Sequence, residues 1–522
     1  MFAAHINASV HNERRLPLDP DGSDLFERLA DGVLLWCVEQ LAGARRAASH
    51  STARTRSKLV NAAMPGTIDE RVISDKADVG DKGRFAVSEN IQLALSSARG
   101  IGCRLVNIGV DDVIEGRPNL MLGLLWQLVR MQLLAGVDMV HVPELVVLLE
   151  PGEALADLLK LPAERILLRW FNHHLAAAGT TQRIANLGDH VKDCSAYCAL
   201  LQQLEPTCNA ASAMSLPYGE ARATAVLRAA DAVLGSATRY VRPADIVSGN
   251  AKLNLAFVAS LFNARHGLVL RAADATLLES QKELLEFGDS GEGRDERVLC
   301  YWVNSLALEA PCERLVADAA DGTLLLHVLD RLSPGCVDWR RVAKSPVASP
   351  FKRLENLNLA LALVRAPPFN IRIVGVEGKD LMDGRSMYVL SLFHQLMRLN
   401  LVQMLQGLTG KSGVPSDADI VALANARVAA AGKSLRMESF RDASLADGRF
   451  FLELLSAMGA RVNWELVPAE QNDAAREANA KYVISVARRA GASVFCLYDD
   501  ITTLKPKALL MLTVSCLALK CR

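Results

Sequence analysis

The sequence lacks an excess of charge of either sign and lacks a long apolar run. Lys and Arg together number 58, and Asp and Glu also number 58. A chain without such an excess is neither a general binder of polyanions nor an acidic tail protein, so we expect no nucleic-acid partner. The longest uncharged apolar run, Ala508–Leu519, lies between two lysines and falls short of the roughly 18–20 residues that span a bilayer. We therefore expect no membrane span.

The sequence also lacks the cysteine spacing of a disulfide framework or a zinc site. Its 11 cysteines are scattered from Cys37 to Cys521, which is typical of reduced thiols in a cytosolic protein. One group, His190, Cys194 and Cys198, falls on one helical face but has no fourth ligand at a usual spacing. No basic segment leads into an apolar one at the N-terminus, as a signal peptide requires. These absences predict a cytoplasmic protein with no metal and no cofactor.

Strand-like alternation is scarce, and helical periodicity is common. A chain of 522 residues is long enough for about three to five domains. Hydrophobic residues make up 51% and charged residues 22%, so each domain can bury a core. In the apolar runs the hydrophobic residues recur at helical spacing. The segment Leu120–Leu134 is apolar nearly all round, which predicts a central helix that begins near Pro118. We predict an all-α protein.

One segment recurs along the chain. The run "LWQLVR" (Leu125–Arg130) returns as "FHQLMR" (Phe393–Arg398) 268 residues later, and Asp112 returns as Asp380 at the same distance. Similar layouts occupy Val241–Asn263 and Leu497–Leu519. Each has an Asp, an apolar residue, a turn with Gly or Pro, and a long apolar helix. A pattern that repeats over a whole segment indicates internal duplication.

Two further marks recur in every unit: an Asn near the end of the first helix, and an Asp that opens an apolar helix. The Asn residues are Asn7, Asn172, Asn304 and Asn425, and the Asp residues are Asp31, Asp193, Asp321 and Asp447. The first and third units match at an offset of 268, and the second and fourth at 253 to 255. The chain is therefore predicted to contain a pair of domains that was duplicated to give four, at 1–137 (with a basic insertion at about 44–61), 162–268, 294–403 and 416–522.

The adjacent carboxylates Asp111 and Asp112 suggest either a catalytic acid pair or a turn. Because the Asp recurs in all four units, capping or turn formation explains it better than catalysis. No Ser-His-Asp or Cys-His arrangement stands out. We predict no catalytic residues and no enzyme. Trp170 and Trp302 are predicted to hold the first helix of their domains against the core.

The stretches Ile73–Arg130 and Arg242–Asn263 resemble fimbrin (plastin), a family of actin-bundling proteins with four calponin-homology domains, and the resemblance continues to Lys505–Arg522. It implies an all-helical, compact monomer of the actin cytoskeleton that binds two actin filaments through two tandem domain pairs. The alternative is a single-filament actin binder or scaffold with one competent pair. Microtubule binding is a related alternative, and the tandem pairing favours actin.

In this family the actin-binding face is built from the first and last helices of the leading domain and the first helix of the next. The matching segments are Met1–His11, Leu120–Leu134 and Ala163–Ala177 in the first pair, and Arg294–Leu308, Ser386–Asn400 and Asp417–Ala430 in the second. Polar positions on these helices give the candidate contacts: Gln127, Arg130, Gln132, Arg165, Arg169, Gln395, Arg398 and Asn400. The basic insertion adds Arg45, Arg46, Arg54 and Arg56, which are suited to an acidic filament surface.

Two departures from the family stand out. Its members usually begin with a calcium-binding headpiece, but a calcium loop that starts at Asp19 would need Gly and Glu where Asp24 and Ala30 stand. We expect either a fragment or a protein without calcium control. His5 occupies the position of Trp170 and Trp302, which predicts a less stable first domain.

Overall fold

The structure, a computed structural model, consists of helices joined by turns and loops over the residues that it describes. These are 2–3, 18–19, 22–30, 67–73, 80–139, 141–159, 161–235, 240–271, 274, 291–309, 311–373, 375–409, 416–468 and 472–519. Within these ranges no residue belongs to a β-strand, so the all-α prediction is confirmed.

The described residues form the following α-helices, given in chain order. The first ten are α1 (Leu25–Leu29), α2 (Gly80–Gly100), α3 (Val110–Ile114), α4 (Pro118–Leu134), α5 (Leu155–Leu159), α6 (Ala163–Ala177), α7 (Ser195–Leu204), α8 (Glu220–Leu234), α9 (Pro243–Val247) and α10 (Ala251–Ala264). The others are α11 (Gly291–Ser305), α12 (Leu315–Asp318), α13 (Thr323–Leu332), α14 (Pro350–Arg365), α15 (Gly378–Met382), α16 (Ser386–Thr409), α17 (Asp417–Ala430), α18 (Arg449–Ala457), α19 (Asp473–Arg489), α20 (Tyr498–Thr502) and α21 (Pro506–Leu517). Short 3₁₀ turns occur between them, among them Glu70–Val72 and Pro143–Leu148.

The chain forms two compact units. The first comprises residues 1–25, 37–57 and 125–289, and the second comprises 26–36, 58–124 and 290–522. In the first unit, Trp170 on α6 is fully buried among aromatic side chains, and its Nε1 donates to the carbonyl oxygen of His266 at 2.6 Å. The prediction that Trp170 fixes the first helix to the core is confirmed.

In the second unit, Trp302 on α11 has the same role. It is 1% exposed, and its Nε1 lies 3.3 Å from Oδ1 of Asn400 on α16, the helix against which α11 packs. The same unit joins α2 to α19. There the buried guanidinium of Arg488 donates to the carbonyl oxygens of Thr67 and Val494 at 2.9 and 3.0 Å, so residues from the first and fourth predicted domains share one core.

The recurring aspartates cap short helices. In each of the four copies a carboxylate oxygen accepts the backbone N–H of the residue three positions earlier, at 2.8–2.9 Å: Asp112 from Gly109, Asp245 from Arg242, Asp380 from Glu377 and Asp500 from Leu497. An acid in the first turn also interacts favourably with the helix dipole. The capping prediction is confirmed, and Asp112 acts as a cap.

The Asn mark ties the first helix of a domain to the loop that follows. The side-chain amides of Asn172, Asn304 and Asn425 each bond both the N–H and the C=O of one later residue: Ile184, Cys312 and Met437, respectively, at 2.7–3.1 Å. The recurring Asp also makes the same bond in each described copy. The carboxylates of Asp193, Asp321 and Asp447 each accept a hydrogen bond from the backbone N–H of the residue two positions later. Asn7 and Asp31 lie outside the described residues.

Three helix predictions need correction or fall outside the description. Helix α16 continues to Thr409, nine residues past the predicted Asn400, because good helix formers dominate Leu401–Gln406 and no proline interrupts the run, so the single Gly407 is tolerated. Helix α11 lies three residues earlier than Arg294–Leu308, and a left-handed residue, Ala307 (φ 56°), follows its end. Of Met1–His11, only residues 2–3 are described. Ala163–Ala177 and Asp417–Ala430 match their helices fully.

The segment between the first two domains is ordered. It contains the 3₁₀ turn Pro143–Leu148 and α5, and it buries Leu145, Val146, Leu155 and Leu158 in the core of the first unit. This segment lies between the predicted domains 1–137 and 162–268, and its leucine and valine side chains supply enough apolar surface to pack.

Candidate binding surfaces of the two domain pairs

In the first pair of domains, helix α6 carries Arg165 and Arg169, two of the predicted contacts with actin. Arg165 is exposed and Arg169 is half-buried. Nη1 of Arg169 lies 2.6 Å from Oε2 of Glu153, in the segment that leads into α6, and its Nε lies 3.7 Å from Glu150. The hydrogen bond from Arg169 holds the pKa of the Glu153 carboxyl below its ordinary value. Arg169 therefore has an internal partner.

Helix α4 places Gln127, Arg130 and Gln132 in half-buried positions. Nε of Arg130 lies 2.8 Å from Oε1 of Glu164, in the first turn of α6. The ion pair joins the last helix of the first domain to the first helix of the second. It thus fixes the relative placement of two helices that the resemblance assigns to one face.

The second pair repeats this ion pair. Nη2 of Arg398 on α16 lies 2.7 Å from Oδ1 of Asp417 in the first turn of α17. Asp417 stands 253 residues after Glu164, the same offset that relates Asn425 to Asn172. The two acids were missed in the sequence analysis, although an acid in the first turn at matched positions was a usable signal.

The remaining candidates on α16 are half-buried. Asn400 accepts the hydrogen bond of Trp302 through Oδ1, so this predicted contact also has a role inside the protein. Gln395 is half-buried on the same helix. The four arginines of the basic insertion, Arg45, Arg46, Arg54 and Arg56, lie outside the described residues.

The two surfaces differ in charge at matched positions. Arg165 and Arg169 on α6 correspond to Ala418 and Ala422 on α17, at the 253-residue offset. Helix α17 opens with Asp417, which matches Glu164 of α6, and with a second acid, Asp419. At these two positions the first pair carries the exposed Arg165 and the ion-paired Arg169, whereas the second carries alanines.

In the part of the chain that the structure describes, no group of three or more His, Cys, Asp or Glu side chains is placed to hold a metal ion. Cys194 and Cys198 are buried, and the ring of His190 accepts a local backbone N–H from Ala185. Among the same residues, no helix combines the length and the apolar character needed to cross a membrane.

Comparison with known proteins identifies the family of this chain. The calponin homology (CH) domain model matches residues 6–133, 161–267, 294–401 and 415–522. Fimbrin-3 of Arabidopsis thaliana is 37% identical over 521 residues, which cover 98% of this chain and 68% of that protein. Fimbrin of Saccharomyces cerevisiae (36% identical, 99% of this chain, 77% of that protein) and human Plastin-3 (35%, 99% and 78%) are similar over the same extent. The chain belongs to the fimbrin (plastin) family.

A solved structure of the fimbrin family shares the fold. It is the crystal structure of the actin-crosslinking core of Schizosaccharomyces pombe fimbrin, with a TM-score of 0.78 and 31% sequence identity. The match covers 99% of this chain and 98% of that one. The family resemblance drawn from the repeated segments is confirmed.

Proposed function

We propose that this protein binds actin filaments and cross-links them into tight bundles, with one filament held by each tandem pair of CH domains. The observation that carries the proposal is the match, along nearly the whole chain, to the actin-crosslinking core of a fimbrin. The duplicated ion pairs Arg130–Glu164 and Arg398–Asp417 support it, since both pairs keep the same junction between their domains.

Cross-linking needs two sites rather than one strong site. Once one pair is bound, a neighbouring filament is presented to the other pair at high effective concentration, provided that the geometry allows both contacts. Each site can then be weak. The protein acts in this role as a monomer of the cytoplasmic actin cytoskeleton, with no catalytic step, metal or cofactor.

Arg165 is the strongest contact candidate, because it is exposed on the proposed face and its charge suits an acidic filament. Gln127, Gln132 and Gln395 are proposed as weaker contacts from half-buried positions. Arg130, Arg169, Arg398 and Asn400 are proposed to shape the face through their internal partners, and any contact with actin is secondary. The four arginines of the insertion are proposed as salt-sensitive contacts.

Co-sedimentation with actin filaments tests the proposal. High-speed centrifugation pellets any protein bound to filaments, whereas low-speed centrifugation pellets only bundles. We expect the protein in both pellets, and tight parallel arrays in electron micrographs. Protein that stays in the high-speed supernatant at filament concentrations well above those of the protein would overturn the proposal.

A second candidate function is binding to a single filament through one competent pair. The observation that favours it is the difference between α6 and α17, where Arg165 and Arg169 of α6 correspond in sequence to Ala418 and Ala422 of α17. This function predicts protein in the high-speed pellet, actin filaments absent from the low-speed pellet, and separate decorated filaments in micrographs.

A further inference from the structure

Two cysteines of the third domain touch each other. Cys300 lies on α11, and Cys312 lies in the loop before α12; their Sγ atoms are 3.2 Å apart. Both side chains are buried, with 5% and 3% of their surface exposed. A disulfide needs the sulfurs about 2.05 Å apart, so the pair needs to approach by only about 1 Å, which small side-chain rotations supply.

The backbone around the pair is already held in place. Asn304, one turn after Cys300 on α11, bonds both the N–H and the C=O of Cys312 at 2.7 and 2.9 Å. The loop therefore cannot slide along the helix while that amide bridge is intact. Closing a disulfide here would preserve the existing chain path.

The other repeats show that packing at this place does not require thiols. Leu168 and Ile184 occupy the matching positions in the second domain, relative to the bridging Asn172. Val421 and Met437 occupy them in the fourth, relative to Asn425. A packing role alone would be met by such apolar side chains, so the thiol pair is a chemical feature of the third domain.

We propose that Cys300 and Cys312 form a reversible dithiol–disulfide site that closes under peroxide and ties α11 to the loop before α12. In the first step one thiolate attacks a peroxide oxygen, and the O–O bond breaks to give a sulfenic acid and water. In the second step the other thiol attacks the sulfenic sulfur, and the S–S bond forms as a second water leaves. The two thiols lose two electrons and two protons, and the peroxide is reduced; a dithiol reductant reverses the change by thiol–disulfide exchange.

The surroundings make the reaction slow in the folded protein. The hydrogen bond between the two thiols, together with burial, raises the pKa of the Cys312 thiol well above its ordinary value. Little thiolate is present at neutral pH, and the thiolate is the reactive form. The rate of closure should therefore rise with pH between about 7 and 9. The closed form restricts the unfolded chain and so stabilises the fold.

Mass spectrometry of the full-length protein tests the site directly. Trypsin releases both cysteines in one peptide, Val298–Arg314, which has no internal Lys or Arg. After treatment with hydrogen peroxide, denaturation and N-ethylmaleimide, we expect this peptide without label and lighter by two hydrogens. The reduced protein should give the doubly labelled peptide. The buried Cys103, in the peptide Gly100–Arg104, serves as the internal control and should be labelled in both samples.

A double variant without the thiol pair distinguishes the effect of the disulfide on Tm from the effect of oxidation elsewhere in the protein. Cys300→Val with Cys312→Met copies the fourth repeat and removes the pair while keeping an apolar core. We expect peroxide to raise the Tm of the wild-type protein by about 5 °C, to leave the Tm of the variant unchanged, and dithiothreitol to reverse the rise. If wild-type Val298–Arg314 still takes two labels after Cys103 itself has begun to oxidise, or if Cys300 instead pairs with another cysteine, the proposal is overturned. A Tm that does not rise in a sample shown by mass to be closed overturns the stabilising effect.

Discussion

At the scale of single residues, His174 is a titratable group inside the core of the first unit. Its Nε2 lies 2.9 Å from the carbonyl oxygen of His266, an acceptor that it shares with Trp170, which indicates the neutral ring with a proton on Nε2. Burial lowers the pKa of His174 to about 4. In the unfolded chain the pKa of a histidine is about 6.5. As the pH falls from about 6.5 to 4, the unfolded state binds a proton that the folded state refuses, so the free energy of unfolding decreases.

The variant His174→Leu should remove this acid sensitivity from the first unit. Leu306 stands at the matching position of the third domain, and the His266 carbonyl keeps its bond from Trp170. Between pH 6.5 and 4.5 we expect the variant to lose about 2 kcal/mol less stability than the wild type, measured by urea unfolding. The difference in unfolding free energy between the variant and the wild type at pH 7.5 measures the effect of the substitution on packing alone. Equal acid slopes for the two proteins would contradict the assignment.

At the scale of elements, one glycine lets α13 approach α14. Gly322 precedes α13 with a φ of 79°, and a Cβ there would lie 2.8 Å from Cβ of Asn356 and 2.9 Å from the backbone N of Leu357. Gly335 has a similar φ of 83° but open space around it. The two glycines thus separate the cost of a left-handed backbone from the cost of a clash between helices.

We expect Gly335→Ala to lower the free energy of unfolding of the second unit by about 1 kcal/mol, from backbone strain alone. Gly322→Ala should lower it by about 2 kcal/mol more, because α13 and α14 must move apart. Denaturant unfolding of both variants, monitored by tryptophan fluorescence, measures the difference. Similar losses at the two positions would show that the approach of α13 to α14 is not tight.

The elements also show which features a sequence can predict. The capping role of Asp112 follows from a local pattern that recurs at fixed offsets, and the helix bounds Ala163–Ala177 and Asp417–Ala430 follow from the family resemblance. The ion pairs of Arg130 and Arg398 do not, because their partners are set by how two helices pack. Nor does the Cys300–Cys312 contact, which depends on the loop path that Asn304 fixes. The predicted end of α16 at Asn400 is too early, because Leu401–Gln406 contains neither Gly nor Pro and the packed helix tolerates Gly407 before it ends at Thr409.

At the scale of the whole molecule, duplication preserved the architecture of the two pairs more strictly than their surface charge. The junction ion pairs, the capping aspartates and the bridging asparagines occur at matched positions. The exposed positions on α6 and α17 differ. When the two sites of a cross-linker differ in affinity, the stronger site is filled first. The affinity of the stronger site then sets how much protein binds to single filaments, and the affinity of the weaker site sets how much bundling occurs.

Moving one charge between the pairs tests this division of roles in the proposed function. Arg165→Ala should weaken binding to single filaments by about threefold at low salt, since an exposed charge contributes roughly 0.2–1 kcal/mol. Ala418→Arg places the same charge at the matching exposed position of the second pair and should lower the protein concentration needed for bundling. Both effects should fade above about 0.3 M salt as the charges are screened.

The double variant keeps the net charge, and in it the second pair should bind filaments more strongly than the first. High-speed and low-speed sedimentation report the two quantities separately. If Ala418→Arg changes neither pellet while Arg165→Ala changes the high-speed pellet, only the first pair binds, and the single-filament function replaces the cross-linking one.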